Sequence, residues 1–340
     1  RCSATHIVIK ANEKSGAYAR VVAIRFSQYD KNQAQMHGDA MDDMQIGFIG
    51  TGTIGKPIAH CLLSKYLSIT VFDSNPTACQ DLVDHGAKRA QGLSEIAEDC
   101  NLVFSSLPGP VQIETVMLGE DGLLANAKNM STIVDLSTNA LKLNREIAAC
   151  ATEKNISYLD APVSGGARAA VKGALSVMIG GDEQAFSAVR PVIECFAEHI
   201  SYMGGPGSGT LTKLVNNQIF LCASVLVQEG FLMGAKAGMD PSALLEVLNA
   251  SSAAPIVKRA PLVLSRDFDM GVFSLGIAAK DVAVALESAR DMGVSMPMTE
   301  AANDIYQQAI ASRLNEKDFF ATVKVLEKMA NVELPPLDKD

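Results

Sequence analysis

"QIGFIGTGTIGKPIAHCLLSKY" occupies residues 45–66 and changes character halfway. The run QIGFIG (45–50) is apolar and short, as a buried strand is. From Ile54 the apolar residues recur at helical spacing, which predicts a helix over 54–66. Between them, GTGTIG (50–55) sets three glycines in the pattern G-x-G-x-x-G. That pattern alone is a weak signal. Following a strand and opening a helix, it is the cradle of a dinucleotide pyrophosphate. Gly50 permits the tight turn, Gly52 lets the phosphates approach the backbone, and Gly55 lets helix pack on strand. Thr53 and Ile54 complete the loop. The helix N-terminus adds amide donors and partial positive charge. A second strand, SITVFD (68–73), ends at Asp73, 18 residues after Gly55. A carboxylate there accepts from both ribose hydroxyls and repels a 2′-phosphate. Ser74, Asn75 and Pro76 follow it, with no arginine. NAD is therefore expected in preference to NADP. The plain alternative is a glycine turn and a strand-end aspartate that caps the next helix.

Outward from this unit, short apolar runs alternate with helical periods. Helices are expected at 76–86 and 183–196, and strands at 101–108, 131–137, 156–162 and 174–181. Such alternation predicts an α/β, Rossmann-type, doubly wound parallel sheet. Beyond about residue 208 no strand is convincing. Long helical segments are expected at 208–238, 241–250, 276–292, 297–312 and 318–330. The chain thus divides into a dinucleotide-binding Rossmann domain (45–206) and an all-α C-terminal domain (207–332) for substrate and oligomerisation. The Gly/Pro-rich GGPGSG (204–209) marks the join. Residues 1–44 start without Met and lack periodicity; they read as an extension, disordered or a targeting remnant.

The bulk numbers restrict the function classes. With 48% hydrophobic and 20% charged residues over 340 positions, the chain can bury a sizeable core. A net charge of −9, from 29 basic and 38 acidic residues, argues against nucleic acid and against an anionic membrane surface. The seven cysteines include no CxxC and no Cys/His cluster at ligand spacing, so reduced thiols and no metal are expected. The apolar run after Lys213 is broken by Asn, Gln, Glu and Lys, and is not read as a membrane span. The expected location is the cytoplasm, or the mitochondrial matrix or another organelle if residues 1–44 target the chain.

Two further stretches carry chemistry. In GSGTLTKLVNN (207–217) a helix sets Lys213 and Asn217 at i and i+4, on one face. Desolvation lowers a lysine pKa and lets it exchange a proton with a substrate hydroxyl, with Asn217 holding lysine or hydroxyl in place. A snorkelling surface lysine at a helix start fits these residues equally well. In DAPVSGGARAA (160–170), Ser164, Gly165 and Gly166 let a hydroxyl and backbone N–H groups converge on a carboxylate. A simple glycine turn before a helix is the alternative.

Together, IGFIGTGTIGKPIA (46–59), DAPVSGG (160–166), GSGTLTKLVNN (207–217) and AAKDVAVAL (278–286) resemble the β-hydroxyacid dehydrogenases, whose best-known members are the 3-hydroxyisobutyrate dehydrogenases. The resemblance covers about 45–330. It implies that Lys213 transfers the proton, with Asn217 as its helical partner. It implies that Ser164, Gly165 and Gly166 bind the substrate carboxylate. Lys280 would reach cofactor or substrate from the helical domain. Leu107, Pro108, Gln112 and Thr138 would line the nicotinamide. Asp281 would cap a helix or hold a lysine. Some positions depart from the pattern. Ile54 stands where methionine is usual, and NALKLN after Thr138 lacks the expected proline. Asn216 replaces the histidine of 6-phosphogluconate dehydrogenases, and Lys213 is retained where imine reductases lose it.

The expected activity is therefore NAD-dependent oxidation of a small 3-hydroxy acid to a semialdehyde or 3-oxo acid, reversibly. The rival enzyme reduces tartronate, succinic or related acid semialdehydes, with Ala167, Arg168, Phe273 and Ser274 at the acid's far end. Arg168 and Arg266 would there read a second anionic group, or are solvated surface. A rival of another class is a non-catalytic dinucleotide-binding assembly module. The apolar helix after Lys213 further predicts a homodimer or homotetramer.

Overall fold

The computed structural model describes residues 44–66, 69–271 and 273–336. The expectation that residues 1–44 form an extension or a targeting remnant lies outside them, apart from Met44. The α/β half runs β1 (Ile46–Ile49), α1 (Gly55–Leu63), β2 (Ile69–Phe72), α2 (Gln80–Asp84), β3 (Lys88–Arg89), α3 (Leu93–Asp99), β4 (Leu102–Ser105) and α4 (Pro110–Leu118). It continues with β5 (Thr132–Asp135), α5 (Leu141–Glu153), β6 (Ser157–Asp160), β7 (Val163–Ser164), α6 (Gly166–Val171), β8 (Leu175–Gly180), α7 (Glu183–Ile193) and β9 (Ala197–Gly204). The helical half holds α8 (Ser208–Lys236), α9 (Pro241–Asn249), α10 (Leu275–Asp291), α11 (Pro297–Ala311) and α12 (Val323–Ala330).

Among the described residues the strands form one sheet, ordered β3-β2-β1-β4-β5-β6-β8-β7, with β9 also on β8. Strands β1 to β6 are mutually parallel. Every residue of β1, β4 and β5 is buried, as strands covered on both faces must be. The two-residue period divides them. Phe48, Phe104 and Val134 join one core layer with Leu62 and Phe196, whereas Ile49, Val103 and Ile133 join the other with Ile113 and Ile147.

The sheet departs from the expected parallel order at its far edge. β8 pairs antiparallel with β6 and β7, then parallel with β9. Only residues 165–174 separate β7 from β8, too few for the crossover that a parallel pair needs. The apolar patterning also passes over β3 and β9. β3 is two exposed residues, and β9 alternates exposed and half-buried positions for most of its length. The segment expected as one helix over 318–330 begins as a 3-10 turn, Phe319–Thr322, before α12.

α8 is the mechanical link between the halves. Its first turns pack on β8 and β9, and its remainder on α10, α11 and α12. The approach at the start leaves no room for a side chain, since a Cβ at Gly209 would sit 2.3 Å from the Met178 carbonyl oxygen. Farther along, Leu221, Val225, Phe231 and Leu232 enter the helical core with Leu275, Tyr306 and Phe319. By length and composition alone α8 could cross a bilayer, but it buries Asn217 and Gln228 among protein partners, as a core helix does.

Candidate active site

The glycine loop is braced by its neighbours. Gly50 has φ +88°, a conformation glycine adopts without strain, and a Cβ there would lie 2.3 Å from the Ser106 carbonyl oxygen. A Cβ at Gly55 would meet the Gly50 carbonyl oxygen at 1.9 Å, so helix α1 can reach its strand only with glycine there. Gly52 differs from both: a Cβ there meets nothing within 4 Å. Its backbone faces open space, which is what a pyrophosphate laid across the loop requires. Thr53 is exposed and Ile54 half-buried beside it. The loop thus fits the dinucleotide that its sequence implies.

Asp73 is tied to that loop. Its carboxylate accepts the Thr51 backbone N–H at 2.8 Å and the Asn75 N–H at 2.8 Å. The contact with Thr51 was not legible from spacing, and it holds the Asp73 carboxylate against the turn before Gly52.

From Gly50 an unbroken line of contacts leads to the helical half. Gly50 abuts Ser106 and the Leu107 side chain. Leu107 donates its N–H to Ser137 Oγ at 2.8 Å. Pro108 is exposed after it, and Gly109 lies against the Lys280 stem, with 2.9 Å between a Cβ built there and Lys280 Cδ. Lys280 Nζ donates to the Thr138 carbonyl at 3.3 Å and pairs with Asp281 Oδ1 at 2.8 Å. Asp281 Oδ2 accepts from Asn217 Nδ2 at 2.6 Å. Asn217 Oδ1 in turn accepts from Asn216 at 2.9 Å. Asp281 is thus the hub of the cluster, and the lysine it holds directly is Lys280.

Lys213 is half-buried one turn before Asn217. Burial pushes its ammonium below the ordinary lysine range. The Asp281 carboxylate pulls it partly back, and the Lys280 charge pushes it down again. Among the described residues Lys213 donates no hydrogen bond. A lysine that is poorly hydrated, lowered in pKa and unattached is suited to move a proton to or from a ligand.

Ser164, Gly165 and Gly166 form a turn between β7 and α6. Gly165 has φ +127° and Gly166 φ +70°, and a Cβ at Gly166 meets nothing within 4 Å. The Ser164 hydroxyl has no hydrogen bond among the described residues. This turn shares no hydrogen bond with the Lys213 cluster, so residue contacts alone do not join the two. Gln112 is exposed on α4, and Thr138 half-buried.

The remaining residues expected at the far end divide. Arg266 is committed elsewhere, with two hydrogen bonds to Glu327 at 2.6 and 3.1 Å and a third to Glu333. Ser274 caps α10, and Phe273 packs edge-on against Phe319, so both serve the helical core. Ala167 is half-buried and Arg168 exposed on α6.

Two buried carboxylates escaped the sequence reading. Asp160, at the end of β6, accepts the N–H groups of Gly207 (2.8 Å) and Thr210 (2.7 Å), and so caps α8 from the sheet. Burial raises its pKa to about 6 against these bonds. Asp135, its register neighbour on β5, accepts from Ser105, Ser137 and Tyr158. It thereby positions Ser137, which holds the Leu107 turn. The signal available was DLS (135–137) and DAP (160–162), an acid ending each strand. Where the proline was expected after Thr138, Leu141 docks instead on Ser288 Oγ of α10 at 3.4 Å.

A glycine loop open at Gly52, an acid tied to it and a buried, unattached lysine suit a nicotinamide-dependent dehydrogenase. The comparisons with known proteins agree. A family model described as the NAD binding domain of 6-phosphogluconate dehydrogenase matches residues 45–204. A second, described as NAD-binding of NADP-dependent 3-hydroxyisobutyrate dehydrogenase, matches residues 207–326. The chain is 34% identical over 294 residues to the 2-(hydroxymethyl)glutarate dehydrogenase of Eubacterium barkeri, covering 86% of this chain and 97% of that one. It is 32% identical to the 2-hydroxy-3-oxopropionate reductase of Escherichia coli, covering 86% of this chain and all of that one. Among solved structures, Mycobacterium tuberculosis 3-hydroxyisobutyrate dehydrogenase with L-serine superposes with a TM-score of 0.76 at 28% identity, covering 83% and 99% of the two chains. The chain belongs to the β-hydroxyacid dehydrogenase family, and is an NAD-binding oxidoreductase of 3-hydroxy acids.

Proposed function

We propose that the protein oxidises a small 3-hydroxy acid of the 3-hydroxyisobutyrate kind, reversibly, with Lys213 as general acid and base. The observation that carries this reading is the Lys213 ammonium, lowered in pKa and unattached beside the Asn217–Asp281–Lys280 cluster. In oxidation Lys213 takes the hydroxyl proton, and in reduction it returns it. Bound NAD supplies the hydride acceptor. Asn217, anchored by Asp281, orients the hydroxyl or the lysine. Ser164 and the N–H groups of Gly165 and Gly166 receive the substrate carboxylate. Lys280 adds positive charge at the Thr138 edge, though Asp281 already balances much of it. The Leu107–Pro108 turn, Gln112 and Thr138 flank the nicotinamide.

Asp73 favours NAD, because a 2′-phosphate would meet its carboxylate. The testing experiment follows nicotinamide absorbance with a panel of 3-hydroxy acids and each coenzyme. Turnover with NAD supports the reading, and Asp73→Ser, which keeps an acceptor for Thr51, narrows the NAD-over-NADP preference by about tenfold. Absence of turnover in both directions would sink it. A second reading, reduction of a short acid semialdehyde, draws on the likeness to the 2-hydroxy-3-oxopropionate reductase and on Arg168, which stands exposed without a partner among the described residues. The assembly-module reading accounts for none of the Lys213 cluster.

A second copy of the chain is proposed to cover α8. Val215, Ile219, Leu226 and Met233 are 50, 60, 56 and 75% exposed along it. Steps of four and seven residues set them on one face, an apolar stripe of the kind that marks an interface. Sedimentation should give a dimer or tetramer, and Ile219→Glu with Leu226→Glu should shift it toward monomer; a monomeric wild type rules the stripe out as an interface.

A further inference from the structure

Outside the Lys213 cluster, two helices of the Rossmann half bring together three metal-ligating side chains. His60 lies in the last turn of α1, Asp81 on α2, and His85 at the C-terminal end of α2. His60 Nε2 is 2.6 Å from Asp81 Oδ2, and His85 Nδ1 is 3.8 Å from Asp81 Oδ1. The two imidazoles meet edge to face with centroids 5.0 Å apart. One nitrogen of each ring and one carboxylate oxygen fall within 4.8 Å of one another. We propose that His60, Asp81 and His85 form a surface site for a divalent transition ion such as zinc.

Two imidazoles and one carboxylate are a donor set that zinc, cobalt and nickel prefer over the harder calcium or magnesium. Around a tetrahedral zinc with bonds of about 2.0 Å, ligand atoms stand about 3.3 Å apart, and water takes the fourth position. To meet that value the His60–Asp81 pair at 2.6 Å would open and the His85–Asp81 pair at 3.8 Å would close. The room exists, since His60, Asp81 and His85 are 33, 50 and 61% exposed. The Asp81 carboxylate is paired with His60 at 2.6 Å, and an entering ion would take the place of that contact. His85 Nδ1 now contacts the Asp81 backbone carbonyl at 2.7 Å, and an ion bound at that nitrogen would take the place of this contact. Lys56 is a nearby cation, and its charge is the weakest of those acting on Asp81. Sequence spacing hides the set, because 21 residues separate His60 from Asp81. The ion would staple the helix that leaves the phosphate cradle to the helix that follows Asp73.

The test is calorimetric titration of Zn²⁺ into the full chain at pH 7.5, with the melting temperature read in parallel. The expected result is one ion per chain with Kd tighter than about 100 μM and a raised melting temperature. His60→Gln and His85→Gln, on different helices, should each weaken binding at least tenfold. Lowering the pH to 5.5 should weaken it, because protons compete with the ion for its ligands. Co²⁺ in the site should show visible bands without a thiolate charge-transfer band. Binding weaker than about 100 μM, wild-type affinity in either variant, or a thiolate band from nearby Cys61 would each overturn the proposal.

Discussion

Lys213→Ala should lower turnover by about 10²- to 10⁴-fold while NAD binding stays within about twofold, the pattern of a lost proton-transfer group. The sign of the pH dependence makes the test sharper. Oxidation needs the neutral amine, so its rate should rise with pH through a limb below the 10.5 of an ordinary lysine. Reduction needs the ammonium, so its rate should fall with pH through the same limb. Both limbs should vanish in the alanine variant. Steady-state rates from pH 6 to 10 in both directions decide the matter. A variant with wild-type turnover, or one that keeps both limbs, would remove Lys213 from the chemistry. Burial is the largest influence on this pKa, ahead of the Asp281 and Lys280 charges. The lysine is thus tuned mainly by its burial.

Gly50→Ala should cost about 3 kcal/mol of stability, combining backbone strain at positive φ with overpacking. At this size that lowers the melting temperature by roughly 4–5 °C. The damage has a definite origin, a Cβ 2.3 Å from the Ser106 carbonyl oxygen. Gly52→Ala is the informative contrast. Its Cβ meets nothing within 4 Å, so the fold should be untouched. NAD affinity should nevertheless fall by about tenfold or more, because the methyl enters the space the phosphates need. Thermal melts and NAD titrations of the two variants separate the glycine that shapes the loop from the glycine that admits the ligand. Equal melting temperatures for both, with unchanged NAD affinity, would refute the cradle.

Sequence patterning reached far into this molecule because its central strands are covered on both faces. IGFI, LVFS and TIVD read as buried strands since no water-facing residue interrupts them. The same logic fails at β3 and β9, where exposure or alternation at a sheet edge leaves no continuous apolar run. The glycines around the cradle were legible because backbone geometry admits few substitutes. Arg266 was misleading for the opposite reason. A surface-type residue gives no hint in sequence that Glu327, 61 positions away, takes up its charge. Asp135 and Asp160 were passed over because nothing local marks a strand-end acid as buried. Apart from Ser137, their partners come from other strands and from the start of α8, and only the folded chain brings these near.

The bond from Asp160 to the first turn of α8 bears on what a truncated form of the protein would be. Cut after residue 206, the sheet would keep a buried carboxylate at the end of β6 and lose Gly207 and Thr210, which donate to it. The same cut would lay bare the surface of β8 that Gly209 presses against. The nucleotide-binding half thus relies on the first turn of the lysine-bearing helix to satisfy an acid of its own sheet.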